Sequence, residues 1–252
     1  MDLRSYQIAI KQELEEAWEK QMGHVMLQMP TGTGKTYVLT AVLRDFVGAE
    51  GGSVLVVAHR VELIEQIQDL VVRYGMREWL DEGRIVVTSI QKFARSRVEE
   101  WGDFEPGLIV IDEAHHSTAK TYRMLWKRWS EARVLGVTAT PYRLSGEGFK
   151  DLFDTLITSW TVKRFVHEGY LALFDFVSVR PDSEMMERIQ GLRKRGADGD
   201  YQVKEMGTVM DNRACMEQLY ASYRTYAQGK KGMIYAINRE HANHIAEYYG
   251  ER

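Results

Sequence analysis

The chain reads as an α/β protein built on a mostly parallel sheet flanked by helices. Three observations predict this. Five short apolar runs, at 25–29, 54–58, 85–88, 108–111 and 134–137, are rich in β-branched residues and lack polar alternation. Strands buried on both faces have that texture. Stretches with apolar residues at helical spacing lie between them, the order expected of parallel strands joined by crossover helices. Each run ends in small or polar residues: PTGTGKT, HR, TSIQ, DEAHH and TATPYR in turn. In open α/β sheets ligands bind beyond the carboxyl ends of the strands, so five chemistry-bearing endings converge on one rim.

The elements follow in order. The leader 5–20 has a helical pattern with Ser5 as its expected N-cap. The first run opens into the glycine-rich loop, and 37–47 then places Val38, Leu39, Val42, Leu43 and Phe46 on one helical face. The stretch 61–74 repeats the pattern with Leu63, Ile64, Ile67, Leu70 and Val71. Tyr122, Leu125, Trp126 and Trp129 form a further stripe, read as core packing rather than a base-stacking platform. Beyond Arg143 the texture changes. There follow SGEGF, a helical stretch at 160–167, a short β-like run FDFVSV, and the polar tract 188–200, a solvated loop or a basic surface. A helical segment at 212–228 leads through GKKG to a strand-like MIYAI at 233–237 and a last helix at 239–249, the look of a second α/β unit opening.

Composition sets the class. The 252 residues suit one large domain, or one domain and part of a second. With 44% hydrophobic and 27% charged residues and a net charge of -3, the chain is ordinary globular protein rather than a histone-like basic binder. No apolar run approaches the roughly 18–20 residues of a membrane span. The start, MDLRSYQ, lacks the cationic and apolar regions of a secretion signal, so a cytoplasmic setting without a membrane partner is expected. One cysteine, Cys215, leaves no intramolecular disulfide and no multi-cysteine zinc site, and reads as a small buried filler.

Residues 29–36, MPTGTGKT, stand after an expected strand and before an expected helix, the setting a phosphate-binding loop requires. Around Thr31, Gly32, Thr33 and Gly34 the backbone N–H groups can turn inward on phosphate oxygens, and the helix behind them presents its positive end. Lys35 is placed to reach the β- and γ-phosphates and Thr36 to put its hydroxyl on Mg²⁺. The strict pattern has glycine where this chain has Met29, so the textual match is partial.

The 108–111 run delivers Asp112 and Glu113 to the same rim. Asp112 suits a metal-organising carboxylate, and Glu113 suits orienting and deprotonating the attacking water, since phosphoryl transfer needs mainly positioning and charge neutralisation. The rival reading gathers Asp112, Glu113, His115 and His116 around a transition metal. Adjacent histidines project in different directions and no cysteine or HExxH accompanies them.

Taken together, 3–143 resembles the helicase superfamily 2 that includes the DEAD and DEAH box proteins, with a RecA-like first lobe. LRSYQ resembles its adenine-side motif, MPTGTGKT motif I, VLVVAHRVELIEQ motif Ia, VTSIQ motif Ib, DEAH motif II and TAT motif III, in the correct order. Motif I of that superfamily commonly lacks the first glycine. LRSYQ, TATPYR and the later GYL segment are most similar to the helicase-like (Res) subunits of bacterial restriction enzymes and related DNA-repair ATPases. MIYAINREHANHIAEYY resembles motif IV and its helix.

The resemblance implies residue roles. Gln7, with Arg4 and Tyr6, would read adenine, against the plainer reading of Gln7 as an exposed residue on a capped helix. His59 and Arg60, with Ser89 and Gln91, would line a groove that tracks a DNA strand through phosphate and sugar, RNA being the lesser expectation. Thr138 and Thr140 would link nucleotide site to groove, with His115 either a second relay or a hydrogen-bonded core histidine. The implied organisation is an ATP-binding lobe at 1–144, a connector with a basic loop at 145–211, and the truncated beginning of a second lobe at 212–252. The implied activity is an ATP- and Mg²⁺-dependent DNA helicase or translocase, with a nuclease or modification subunit as a possible partner. The alternative is a nucleotide-dependent nucleic-acid-binding switch without useful turnover. Nothing after Tyr249 resembles the late motif that supplies arginine fingers, so slow hydrolysis by a fragment of a longer protein is expected.

Overall fold

The computed structural model describes residues 2–58, 61–114, 119–141, 152–180, 183–194 and 201–251. The chain forms two compact units, Met1–Leu173 and Phe174–Arg252.

In the first unit the elements run α1 (Ser5–Glu19), β1 (His24–Gln28), α2 (Lys35–Glu50), β2 (Ser53–Ala58), α3 (Val61–Arg73), α4 (Arg77–Asp81), β3 (Ile85–Ser89) and α5 (Ile90–Arg95). A 3-10 turn at Val98–Trp101 precedes β4 (Pro106–Asp112), α6 (Ala119–Arg128), β5 (Arg133–Thr138), β6 (Thr155–Thr158) and α7 (Val162–His167). The six strands make one parallel sheet in the order β3-β2-β4-β5-β1-β6.

The absence of polar alternation now has its cause. Val54 and Val56 of β2 and Leu108 and Val110 of β4 enter one core with Leu14, Leu43 and Val71, whereas Leu55, Val57, Ile109 and Ile111 enter the other with Phe93, Leu125, Trp129 and Phe153. Each such fully buried side chain contributes about 1.5–3 kcal/mol of transfer free energy. Of the expected stripe, Leu125 and Trp129 are buried in this second core and Trp126 packs against it.

Two expectations are corrected in this unit. The first lobe does not close at residue 144, because β6 pairs in parallel with β1, from Val25↔Thr155 to Gln28↔Thr158, and α7 packs Phe165 into the first core. The N-cap of α1 is Arg4 rather than Ser5. Its backbone N–H donates to Gln7 Oε1 at 2.9 Å while its carbonyl accepts from Gln7 N–H at 2.9 Å, so Gln7 satisfies the helix start.

The second unit contains α8 (Ser183–Gln190), α9 (Val203–Met210), α10 (Arg213–Tyr226) and α11 (Arg239–Gly250). Asn212 caps α10 by accepting from Cys215 N–H, and Asn238 caps α11 by accepting from His241 N–H. The two helices meet through tyrosines, Tyr220 standing edge-on to Tyr249 at 5.0 Å. Cys215 is half-buried rather than buried, with Sγ 3.8 Å from Met185 Sδ.

The expected strands in FDFVSV and MIYAI are not formed among the described residues. Neither segment is paired in a ladder, and Phe176 is 85% and Tyr235 90% exposed. Composition can favour a strand, but only a neighbouring strand makes one. The helix α9 was not anticipated, and of the polar tract 188–200 the start lies in α8 while 195–200 fall outside the described residues. No helix of the described residues is long and apolar enough to cross a membrane.

Candidate nucleotide site at the sheet rim

The loop between β1 and α2 turns on Gly32 and Gly34, both at φ +82°, a left-handed conformation in which a side chain is strained. Gly34 is the N-cap of the 16-residue α2, its carbonyl accepting from Tyr37 and Val38 N–H at 3.0 and 3.3 Å, so Lys35 and Thr36 carry the N–H groups that a helix start leaves without intrahelical acceptors. Thr31 is exposed, Thr36 half-buried, and Thr33 buried with its hydroxyl donating to Pro30 O at 2.6 Å.

The start of α1 clamps this loop. Tyr6 Oη donates to Thr33 O at 2.8 Å, and Gln7 Nε2 donates to Thr33 O at 3.2 Å and Gly34 O at 3.4 Å. A Cβ at Gly34 would run into Gln7 Nε2. Gln7 is therefore not an exposed residue on the helix surface. It is 5% exposed, and its contacts serve the loop and the helix cap. Arg4 stands outside it, exposed.

Across the rim, β5 lies between β1 and β4, with Thr138 in register with Gln28 and Val137 with Asp112. Glu113 follows Asp112 at φ +50°, rare for a residue with a Cβ and costing on the order of 1–3 kcal/mol. That turn aims Glu113 Oε1 at Lys35 Nζ, 4.0 Å away. Burial, then the charge of Glu113, pushes the Asp112 carboxyl above its ordinary range, against the pull of the Glu113 N–H and Lys35. Two carboxylates facing one ammonium leave excess negative charge, which a hard divalent cation bound by Asp112 and the Thr36 hydroxyl would neutralise. Among the described residues no cluster of three or more His, Cys, Asp or Glu side chains is assembled. A cation here would therefore draw its remaining ligands from phosphate oxygens and water, the habit of magnesium.

Thr138 is fully buried and its Oγ1 accepts from Thr140 N–H at 3.1 Å, while Thr140 itself is exposed. The TAT segment is tied to the entrance of the phosphate loop twice, by Met29 N–H donating to Thr138 O at 3.0 Å and by Gln28 Nε2 donating to Ala139 O at 3.0 Å. Sequence reasoning missed Gln28, although a polar residue ending an apolar strand is a usable signal. Ser89 ends β3 in register with Ala58 and its hydroxyl caps α5, accepting from Lys92 N–H at 3.0 Å; Gln91 is exposed in the first turn. His59, Arg60 and His115 lie outside the described residues, as does His116 of the transition-metal reading.

A parallel sheet carrying a phosphate-type loop after β1 and an acidic pair after β4 is the architecture of RecA-like P-loop domains. The chain belongs to the family described as type III restriction enzyme, res subunit, whose match covers residues 1–143. It is 29% identical over 226 residues to a 51.5 kDa protein of Lactococcus phage (isolate 7-9), covering 90% of this chain and 46% of the relative. It is 29% identical over 211 residues to the DNA 3'-5' translocase XPB2 of Sulfurisphaera tokodaii, covering 79% and 45%. The solved helicase domain of Pyrococcus furiosus Hef matches with a TM-score of 0.54 at 18% identity, over 99% of this chain and 53% of that one, a likeness of fold. The chain spans about half the length of these two relatives.

Proposed function

We propose that this chain carries the ATP-binding lobe, and the beginning of a second lobe, of an ATP-dependent DNA translocase or helicase of the restriction and repair type. The observation that carries this is the approach of Lys35 to Glu113 across β5, which sets a phosphate loop against a metal-suited carboxylate pair. Lys35 and the loop N–H groups hold the triphosphate. Glu113 orients the attacking water and accepts its proton. Asp112 with Thr36 would hold Mg²⁺, which would supply charge neutralisation at the phosphoryl group when bound. The family membership and the translocase name of one relative support DNA as the polymer, with Ser89 and Gln91, and with His59 and Arg60, along the strand-tracking edge. Thr138 and Thr140, with His115, carry nucleotide state to that edge. A nuclease or modification subunit fits the restriction branch of the family, and the setting is cytoplasmic.

Steady-state ATP turnover, and ATP affinity, measured with and without single- and double-stranded DNA test this reading. Either quantity responding to DNA supports it. An ATP-binding chain indifferent to both DNA forms overturns the motor assignment.

A further inference from the structure

The left-handed turn at Glu113 has an anchor on the far side of the sheet rim. A strained residue with a Cβ persists only where its surroundings over-determine it. The next residue, Ala114, is wholly buried in the second core, with Phe93, Leu125 and Trp129. Its methyl faces β5 at Gly136, which lies in register with Ile111, one residue before Asp112. A methyl added to Gly136 would stand 3.1 Å from Ala114 Cβ and only 2.6 Å from Phe153 Cζ. The bare Cα of Gly136, the methyl of Ala114 and the ring of Phe153 therefore share one small volume. Gly136 supplies space there and not backbone freedom, since its φ is not positive.

Phe153 is itself held in place. It is buried, and Trp126 stands edge-on to it at 6.2 Å and 83°. The following residue, Asp154, ties the chain to the start of β1 in both directions: its N–H donates to His24 O at 2.8 Å, and its Oδ2 accepts from His24 N–H at 2.8 Å. The ring is thus a fixed block behind Ala114. It belongs to the approach to β6, away from the phosphate loop in sequence and from both carboxylates.

We infer that Phe153 is a positioning residue for hydrolysis: by filling the space over Gly136 it seats Ala114, and through Ala114 it holds the turn that aims Glu113 at Lys35. The inference rests on the role proposed above for Glu113. A smaller side chain at 153 leaves Ala114 room to move, and a turn no longer braced relaxes away from the left-handed conformation and draws the carboxylate back. The phosphate loop keeps its own hydrogen bonds.

The test is single-turnover ATP hydrolysis beside equilibrium ATP binding, in the full chain and at a temperature where each variant is folded. Phe153→Leu should slow hydrolysis about 10- to 100-fold, the scale of a misplacement on the order of 1 Å, with ATP affinity within about 2-fold of wild type. Phe153→Met, nearer to the ring in volume, should fall between Phe153→Leu and wild type. Gly136→Ala pushes the ring aside and should also slow hydrolysis. In Gly136→Ala with Phe153→Leu the new methyl takes the volume that the ring gives up, so hydrolysis should recover to within about 3-fold of wild type. Added to Glu113→Gln, Phe153→Leu should slow the residual hydrolysis no further. Unchanged hydrolysis in both Phe153 variants, equal losses of affinity and hydrolysis, no recovery in the paired variant, or a further loss on top of Glu113→Gln would each overturn the inference while Glu113 keeps its role. Undiminished hydrolysis in Glu113→Gln, or none in the wild-type chain, removes the role of Glu113 and this inference together.

Discussion

Lys35 Nζ and Glu113 Oε1 face each other at 4.0 Å, the ammonium of the phosphate loop and the carboxylate beyond β4 acting as counter-ions across the rim. Both side chains are sheltered, 14% and 28% exposed, so the pairing is not a solvated surface bridge. Under the proposed function an incoming phosphate would compete with Glu113 for Lys35. Glu113→Gln removes that competitor and the proton acceptor at once, so ATP affinity should hold or rise while turnover falls about 10²- to 10⁴-fold. Lys35→Ala should abolish ATP binding. Calorimetric titration beside a turnover assay separates the two, and undiminished turnover in Glu113→Gln refutes the role given to that carboxylate.

Gln28 joins the phosphate-loop strand to the TAT segment through Ala139 O. Gln28→Leu should cost about 1 kcal/mol in thermal unfolding. Its larger effect should fall on the ratio of DNA-stimulated to DNA-free turnover. Gln28→Glu sets an acceptor against an acceptor and should lower that ratio further. A ratio equal to wild type in both variants dissociates Gln28 from coupling.

Gly34 combines a left-handed backbone with a neighbour in the space of its missing Cβ. Gly34→Ala should destabilise the chain by about 1–3 kcal/mol and weaken ATP binding. Adding Gln7→Ala removes the collision but not the backbone strain, so recovery in chemical denaturation should be partial. Full recovery would show that the collision alone mattered.

How legible all this was from sequence depends on what each element rests on. The four inner strands β1, β2, β4 and β5 were readable because both faces of each are buried, which writes itself as unbroken apolar runs such as 108–111, while β3, at one edge and only partly buried, was readable from its β-branched composition. The edge strand β6 buries only Ile157 among its four residues, and TLIT carries no comparable signal. FDFVSV and MIYAI show the converse, strand composition without a ladder. Lys35, Asp112 and Glu113 could be singled out as candidates because phosphoryl chemistry restricts residue type, and folding brings Lys35 and Glu113 to 4.0 Å. Gln28 was not, since what singles it out is a contact made only after folding, with Ala139.

In the second unit His244 Nδ1 meets both oxygens of Asp211, at 2.9 and 3.0 Å. The hydrogen bond to Asp211 lifts the His244 pKa above the ordinary histidine value, with Glu240 and Glu247 adding to it. The stabilisation is complete below the unfolded pKa and is lost as pH rises through the raised folded one. An NMR titration should place His244 above the ordinary value, and Asp211→Asn should bring it back down. Stability of the second unit that is flat across that interval would show the pair to be inconsequential.

The strand order has a metric consequence. One strand, β5, stands between the strand that ends in the phosphate loop and the strand that ends in Asp112. Neighbouring strands are about 4.8 Å apart, so the two endings begin roughly 10 Å from each other. The sheet thus works as a calliper whose jaws are set before any side chain is chosen. Side chains close that gap, Lys35 and Glu113 meeting at 4.0 Å, so the order in which the strands were laid down fixes how far each residue of the rim has to reach.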